Sequence, residues 1–115
     1  MRGLELNCNL LAAGAEFICE TTTAAVYRLW TIHDAYPAML RDEKLGTSIT
    51  VEVWQLTPAA LIKVLQRDPP GLCLGRVELQ DGEIVLGMLA EPYLVSGHEE
   101  ITRWGGWREY LKRKT

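Results

Sequence analysis

A pair of adjacent glycines near the end of the chain, Gly105-Gly106, limits most strongly how the last quarter of the sequence can fold. Trp104 and Trp107 flank the pair, and Arg108 follows directly. Each glycine inside a helix costs roughly 1 kcal/mol of stability relative to alanine. The pair therefore predicts either a sharp bend of the backbone or the close approach of another group to the main chain, where a Cβ atom would clash.

Length and composition indicate an ordinary globular protein. The 115 residues predict a single domain, 1–115, and hydrophobic and charged residues make up 48% and 23% of the chain. A net charge of −3 argues against nucleic acid as the main partner. No apolar run is long enough to span a membrane, and the sequence begins without the apolar segment of a signal peptide. The three cysteines are far apart, which is typical of reduced thiols in a cytoplasmic protein.

Five stretches have the alternation or the residue types of strands. They are 16–24, 26–33, 48–56, 74–80 and 83–90. Asp81-Gly82, between the last two, is a strong signal for a tight hairpin. The residues 34–46, which include Tyr36-Pro37, are predicted to form a loop. This order of short strands predicts an α+β fold with mostly antiparallel pairing.

Two helices have recognisable starts. Thr57-Pro58 supplies an N-cap and a proline at the first helical position, and this helix is predicted to end before the prolines at 69 and 70. Ser96 and Glu99 have the spacing of a capping box. They predict a last helix that carries Trp104 and Trp107 on one face.

Glu91 is the first candidate for chemistry. It follows an apolar strand and precedes Pro92, which ends the strand ladder. A carboxylate at such a strand end is well placed to point into a cleft, where burial would raise its pKa into the range useful for acid or base work. The alternative is a surface glutamate at a turn.

Arg108 is the second candidate, because a guanidinium can hold a carboxylate with two hydrogen bonds. The alternative is an ion pair with Glu99, Glu100 or a carboxylate on a strand. Two histidines, His33 and His98, lie far apart in the sequence, and neither has the spacing of a metal site. The residues therefore predict no metal and no cofactor.

Several segments, taken in order, resemble the C-terminal domain of allophanate hydrolase, a branch of the gamma-glutamylcyclotransferase-like fold. The matching segments are Gly3-Leu4-Glu5-Leu6-Asn7, Thr21-Thr22-Thr23-Ala24 with Tyr27-Arg28-Leu29, Pro37-Ala38-Met39-Leu40-Arg41, Ile49-Thr50-Val51-Glu52-Val53-Trp54, Leu74-Gly75-Arg76-Val77-Glu78-Leu79 with Asp81-Gly82, Gly87 to Pro92, and the run from Ile101 to Leu111. Together they cover nearly the whole chain. The family's first strand and a pocket histidine would precede Gly3, so the resemblance is to a stand-alone and N-terminally short relative.

The resemblance implies a small mixed, mostly antiparallel β-barrel with flanking helices. It also implies a pocket lined by the loop that contains Gly3, Leu4, Leu6 and Asn7. Backbone N–H groups of such a loop bind carboxylates well. Glu91 would lie on a late strand near this loop.

The function implied by the resemblance is the binding of a small carboxylated amide or carbamate. In allophanate hydrolase the amidase domain makes an N-carboxylated carbamate, and the C-terminal domain helps to break it down to ammonia and carbon dioxide. The chain would assist this step of urea nitrogen metabolism alongside a separate amidase. One alternative is a non-catalytic module that docks onto an amidase or forms a homodimer. A third is a gamma-glutamylcyclotransferase-type enzyme, but Asp68 lies in the stretch where such enzymes have their glutamate base.

Overall fold

The computed structural model describes residues 16–114. Its elements, in chain order, are β1 (Glu16–Thr22), β2 (Tyr27–Ile32), β3 (Tyr36–Arg41), β4 (Thr50–Gln55), α1 (Pro58–Arg67), β5 (Leu72–Glu78), β6 (Ile84–Ala90), α2 (Pro92–Val95), β7 (Glu99–Glu100), a 3-10 turn (Thr102–Trp104) and α3 (Trp107–Lys114). The five predicted strands are confirmed, each within two residues of its predicted ends. The predicted α+β class is confirmed as well.

The strands in the described range form three small antiparallel sheets, with the orders β1-β4, β3-β2-β7 and β5-β6. They do not close into one barrel, as the resemblance had implied. Instead, neighbouring sheets are joined by a few hydrogen bonds between residues outside the strand ladders, which we call seams. Thr23 bridges to Leu79, and its N–H donates to the Ile49 carbonyl at 2.9 Å. Residues of all three sheets contribute to one main core, although no ladder runs continuously around it.

The prediction of a loop over 34–46 was wrong for its first half, where β3 pairs with β2. Pro37, which had suggested a loop, lies opposite Thr31 in this pairing. β3 is an edge strand of its sheet, and a proline is tolerated there because its missing N–H can face away from the ladder.

The helices are short, with ten residues in α1, four in α2 and eight in α3. Thr57 caps α1 as predicted, because its side chain accepts a hydrogen bond from the Ala60 N–H at 3.1 Å. No helix in the part of the chain described here is long and apolar enough to cross a membrane.

The main core lies between the sheets and α3. It consists of Tyr27, Leu29, Met39, Ile49, Val77, Ile101, Trp107 and Tyr110, all buried. Tyr27 also satisfies the backbone of a neighbouring sheet, since its Oη accepts from the Glu78 N–H at 2.9 Å. A second, smaller cluster around Trp30 packs against α2 through Val95. The cavity described below adjoins the main core.

Both consequences predicted for the glycine pair occur, one at each glycine. Gly105 has φ +77° and ends the 3-10 turn, so the backbone bends there. A Cβ atom on Gly106 would lie 3.1 Å from the Cβ of Thr50. The Thr50 N–H also donates to the Gly105 carbonyl at 2.7 Å. The pair therefore fixes the start of α3 against β4.

The predicted capping box at Ser96 and Glu99 was wrong. Glu99 lies in β7 and pairs with Thr31 of β2, so no helix begins there. The last helix starts at Trp107, after the bend, whereas Trp104 belongs to the 3-10 turn. The two tryptophans do not share a helix face.

Candidate functional site

A cavity of about 460 Å³ opens between β4, the end of α1 and the start of α3. Its walls are largely apolar and include Leu29, Met39, Val51, Trp54, Val64, Leu72 and Trp107. The charged side chains on its walls are Glu20, Glu52, Asp68, Arg108, Glu109 and Lys112. Apolar walls with a few charged groups are typical of a small-molecule site.

Arg108 and Glu52 form an ion pair on the cavity wall. The Arg108 Nη2 and Glu52 Oε2 atoms lie 3.6 Å apart. The Glu52 side chain is only 6% exposed, and its Oε1 accepts a hydrogen bond from Trp54 Nε1 at 3.2 Å. The Arg108 side chain is 41% exposed. The bend at the glycine pair positions Arg108, because it lies in the first turn of α3 directly after Gly106.

Asp68 brings a second carboxyl to the cavity. It caps the C-terminal end of α1, where its backbone N–H donates to the Val64 carbonyl at 3.0 Å. Burial raises the pKa of the Asp68 carboxyl above its usual range. Asp68 therefore differs from Glu52, whose carboxylate faces the Arg108 guanidinium.

The other charged groups at the cavity are arranged differently. Glu109 forms an ion pair with Arg113, one turn further along α3, with 3.0 Å between Glu109 Oε1 and Arg113 Nε. Glu20 is exposed on β1 and lies opposite Glu52 in the strand register. The cations Arg108 and Lys112, one turn apart on α3, are thus the groups on this wall suited to an anionic ligand.

The structure describes two of the residues predicted to form the site, Glu91 and Arg108, and of these two Arg108 lines the cavity. Gly3, Leu4, Leu6 and Asn7 lie outside the described residues. Glu91 is exposed at the N-cap of α2, and its N–H donates to the Gly71 carbonyl at 2.7 Å. It does not line the cavity, so the burial expected for it does not occur, and its catalytic role stays a prediction.

Glu52 and Asp68 were not among the predicted site residues, although a strand carboxylate was one of the expected partners of Arg108. Glu52 had been assigned only to a strand, where it alternates with apolar residues. Asp68 had been weighed only as a substitute for a glutamate base. A charged residue on a strand whose neighbours face the core is a usable signal for burial, but the partner 56 positions away is fixed only by the tertiary fold.

Two histidines that are distant in the sequence also meet. The rings of His33 and His98 pack edge to face, with 4.9 Å between their centroids. The neighbouring Asp34 carboxylate accepts hydrogen bonds from Tyr110 Oη at 2.6 Å and Thr31 Oγ1 at 3.1 Å. Within residues 16–114, no three His, Cys, Asp or Glu side chains are grouped so that they could hold a metal ion.

Comparison with known proteins gives consistent results. The family model for the allophanate hydrolase C-terminal domain matches residues 1–112. Urea amidolyase of Saccharomyces cerevisiae is 30% identical over 124 residues, which cover 99% of this chain but 7% of that protein. The chain thus spans less than a tenth of the length of this curated relative.

Two solved structures are similar over nearly the whole chain. A uropathogenic E. coli-specific protein shares 48% identity at a TM-score of 0.94, covering 97% of this chain and 88% of that one. Kluyveromyces lactis allophanate hydrolase shares 24% identity at a TM-score of 0.93, covering all of this chain and 20% of that one. The second likeness shows the fold alone.

Proposed function

This chain belongs to the allophanate hydrolase C-terminal domain family, and from that membership we propose that it binds a small carboxylated amide or carbamate in the cavity beside Arg108. Its role there is to assist the breakdown of this ligand to ammonia and carbon dioxide, alongside a separate amidase. Relatives named urea amidolyase and allophanate hydrolase support the proposal, because in them the matching region is part of a much longer chain.

The observation that carries the proposal is the exposure of Arg108 beside a buried Glu52. A guanidinium has five N–H donors. The 3.6 Å contact with Glu52 leaves most of them directed elsewhere, on a side chain that is 41% exposed. A ligand carboxylate at this wall would gain a charge-assisted pair with the guanidinium, next to apolar side chains. The loop with Gly3, Leu4, Leu6 and Asn7 would supply backbone N–H groups to the rest of the ligand.

The binding step is tested by titrating the protein with malonate, a dicarboxylate of similar size, and following the indole N–H signals of Trp54 and Trp107 by NMR. Arg108→Gln should weaken malonate binding about tenfold or more, as expected for loss of a charged partner. Arg113→Gln, on the exposed side of the same helix, should leave it unchanged. The double variant Glu52→Gln/Arg108→Gln avoids a buried unpaired carboxylate and should bind as weakly as the single one.

The assisting step is tested by adding the protein to an allophanate-cleaving amidase that lacks its own C-terminal domain, and measuring the release of ammonia and carbon dioxide. The proposal predicts faster release with the wild-type protein than with Arg108→Gln. Unchanged release, together with flat malonate titrations, would refute it.

A second candidate function, a non-catalytic docking module, is favoured by an exposed apolar face on β5 and β6. Leu74, Ile84 and Leu86 lie on the same face of this hairpin and are 37%, 53% and 63% exposed. If the chain is a docking module, an amidase or a second copy of this chain covers these three side chains. Leu86→Glu should then abolish co-elution of this chain with the amidase, or dissociate the homodimer. Glu91→Gln should leave this assembly intact, and it should impair turnover only if Glu91 is catalytic.

We propose the cytoplasm as the place of action. Cys19 and Cys73 are both free thiols in the structure. Free thiols persist in a reducing compartment, where an exposed cysteine such as Cys19 is not driven to pair with another.

A further inference from the structure

Asp68 is held at the cavity by the way α1 ends. Pro69 follows it, and the residue before a proline avoids the helical region. Accordingly Asp68 is extended, with φ −67° and ψ 149°, while its N–H still bonds to the Val64 carbonyl. The backbone on both sides of Asp68 is thus fixed, and its side chain lines the cavity together with Val64 and Leu72.

Two acids on this wall, Glu20 and Asp68, have no side-chain partner among the described residues, and Asp68 is the more buried of the two. Among the described residues it makes neither a hydrogen bond nor an ion pair through its side chain, and desolvation alone perturbs its pKa, upward. Glu52, in contrast, is held by Arg108 and Trp54, and Glu109 by Arg113. A carboxyl without partners in apolar surroundings favours its neutral, proton-bearing form.

The reaction proposed above needs such a proton. When an N-carboxylated carbamate loses carbon dioxide, the bond between nitrogen and one carboxylate carbon breaks, and its electron pair stays on nitrogen. That nitrogen is strongly basic and must be protonated as the bond breaks. The products are then carbamate and carbon dioxide, and the donor is left as a carboxylate that regains its proton from water.

We infer that Asp68 is the proton donor for this step, a catalytic residue distinct from Glu91 and from the anion-binding Arg108. The inference rests on the proposed function. Arg108 and Lys112 hold the carboxylates of the ligand, and Asp68 delivers its proton to the nitrogen between them. In this division of labour Glu52 faces Arg108, whereas Asp68 has no cation beside it among the described residues.

The test compares Asp68→Asn and Asp68→Glu with the wild type in the coupled assay with the amidase. Asp68→Asn should lower the accelerated release of carbon dioxide about 100-fold, the usual loss for a proton donor, while malonate affinity stays within about threefold. Asp68→Glu should retain part of the activity, because it keeps a carboxyl. Asp81→Asn, the same chemical change at the exposed hairpin, should behave as the wild type.

The pH profile separates a donor from a merely structural residue. The wild-type rate should fall as the pH rises through the pKa of Asp68, and this alkaline limb should be absent from the residual activity of Asp68→Asn. If the wild type accelerates release and Asp68→Asn, shown by NMR to be folded, does so equally with the same profile, the inference alone is overturned. If the wild type gives no acceleration, the proposed function falls and the inference with it.

Discussion

Outside the cavity, the single side chain of Arg28 contacts three other side chains. Its Nε and Nη2 atoms donate to the two carboxylate oxygens of Glu100 at 2.8 and 2.6 Å, and its Nη1 donates to Asp42 at 3.2 Å. The guanidinium also lies 4.7 Å from the centre of the Trp30 ring. This two-pronged pairing ties the very short β7 to β2, and two residues of ladder alone would hold it weakly.

A pH-dependent loss of stability should follow from this pair. Hydrogen bonding to Arg28 is the main cause that lowers the pKa of Glu100 below its ordinary value of 4.5. A lowered pKa in the folded state stabilises the protein above that ordinary value, and the stabilisation is lost as the pH falls through the folded-state pKa. Glu100→Gln should therefore cost about 0.5–1 kcal/mol at neutral pH, a figure that allows for solvent screening of the 36% exposed side chain.

The measurement is urea unfolding at several pH values. The difference between Glu100→Gln and wild type should shrink to nothing in acid, where the carboxylate is protonated in both states. Glu99→Gln, its exposed neighbour on β7, should have little effect at any pH. A deficit of Glu100→Gln that persists unchanged in acid would argue against the ionic explanation.

The residues of the candidate site could be predicted only in part from the sequence. Arg108 was a sound candidate because it follows a backbone bend and can bind a carboxylate, and a strand carboxylate was among the alternatives for its partner. The carboxyl of Asp68 could not be assigned from the sequence, since its burial depends on the walls that β4, β5 and α3 build around it.

At the scale of elements, the glycine pair decides where the last helix begins. Gly105 has the left-handed conformation that side-chain-bearing residues avoid, with open space where a Cβ would lie. At Gly106 the space is limited instead, since an added Cβ would lie in close contact with Thr50. One glycine is needed for its backbone angle and the other for its lack of volume.

Substitutions should separate these two requirements. Gly105→Ala should cost about 1 kcal/mol of unfolding free energy through backbone strain alone. Gly105→Asn should cost less, because asparagine tolerates the left-handed region. Gly106→Ala should displace β4 from α3 and change the NMR signals of Thr50 and Arg108. Equal stabilities of the alanine and asparagine variants at position 105, measured by urea unfolding, would rule out strain as the cause.

The errors in the predicted elements have physical causes. A capping box is a local pattern, and here the tertiary pairing of Glu99 with Thr31 overrides it. Tyr36-Pro37 was placed in a loop, but β3 is an edge strand, in which only every second backbone N–H has to donate to the neighbouring strand. The hairpin at Asp81-Gly82 was predicted correctly, although its turn is longer than the two residues expected. The Leu79 N–H bonds to the Glu83 carbonyl across three residues, the last of which, Gly82, has φ +88°.

At the scale of the whole molecule, buried polar groups join neighbouring sheets. Thr23 is fully buried, and its Oγ1 donates to the Ala24 carbonyl at 2.8 Å and accepts from the Ile49 N–H at 3.0 Å. The seam continues with the Ala24 N–H bonded to the Glu78 carbonyl at 2.9 Å. The order of the strands was accessible from the sequence, but these seams join residues about 26 to 54 positions apart and have no local signature.

Thr23→Val should therefore destabilise the whole fold by about 1–3 kcal/mol, because it leaves the buried Ile49 N–H without its hydroxyl acceptor. Thr23→Ser keeps the hydroxyl and should lose much less. Urea unfolding followed by tryptophan fluorescence measures both. A valine variant as stable as the wild type would mean that the seam contributes no net stability.

The position of α3 in the main core also governs the order of events during synthesis. Ile101, Trp107 and Tyr110 pack there against Tyr27 and Leu29. The hairpin of β5 and β6 can form as soon as it emerges from the ribosome, since its contacts are local. The main core cannot form so early, because three of its eight buried residues, Ile101, Trp107 and Tyr110, are synthesised after the other five. Until Tyr110 has left the ribosome, the nascent chain exposes apolar strands. We expect chaperones to bind the chain mainly during this interval.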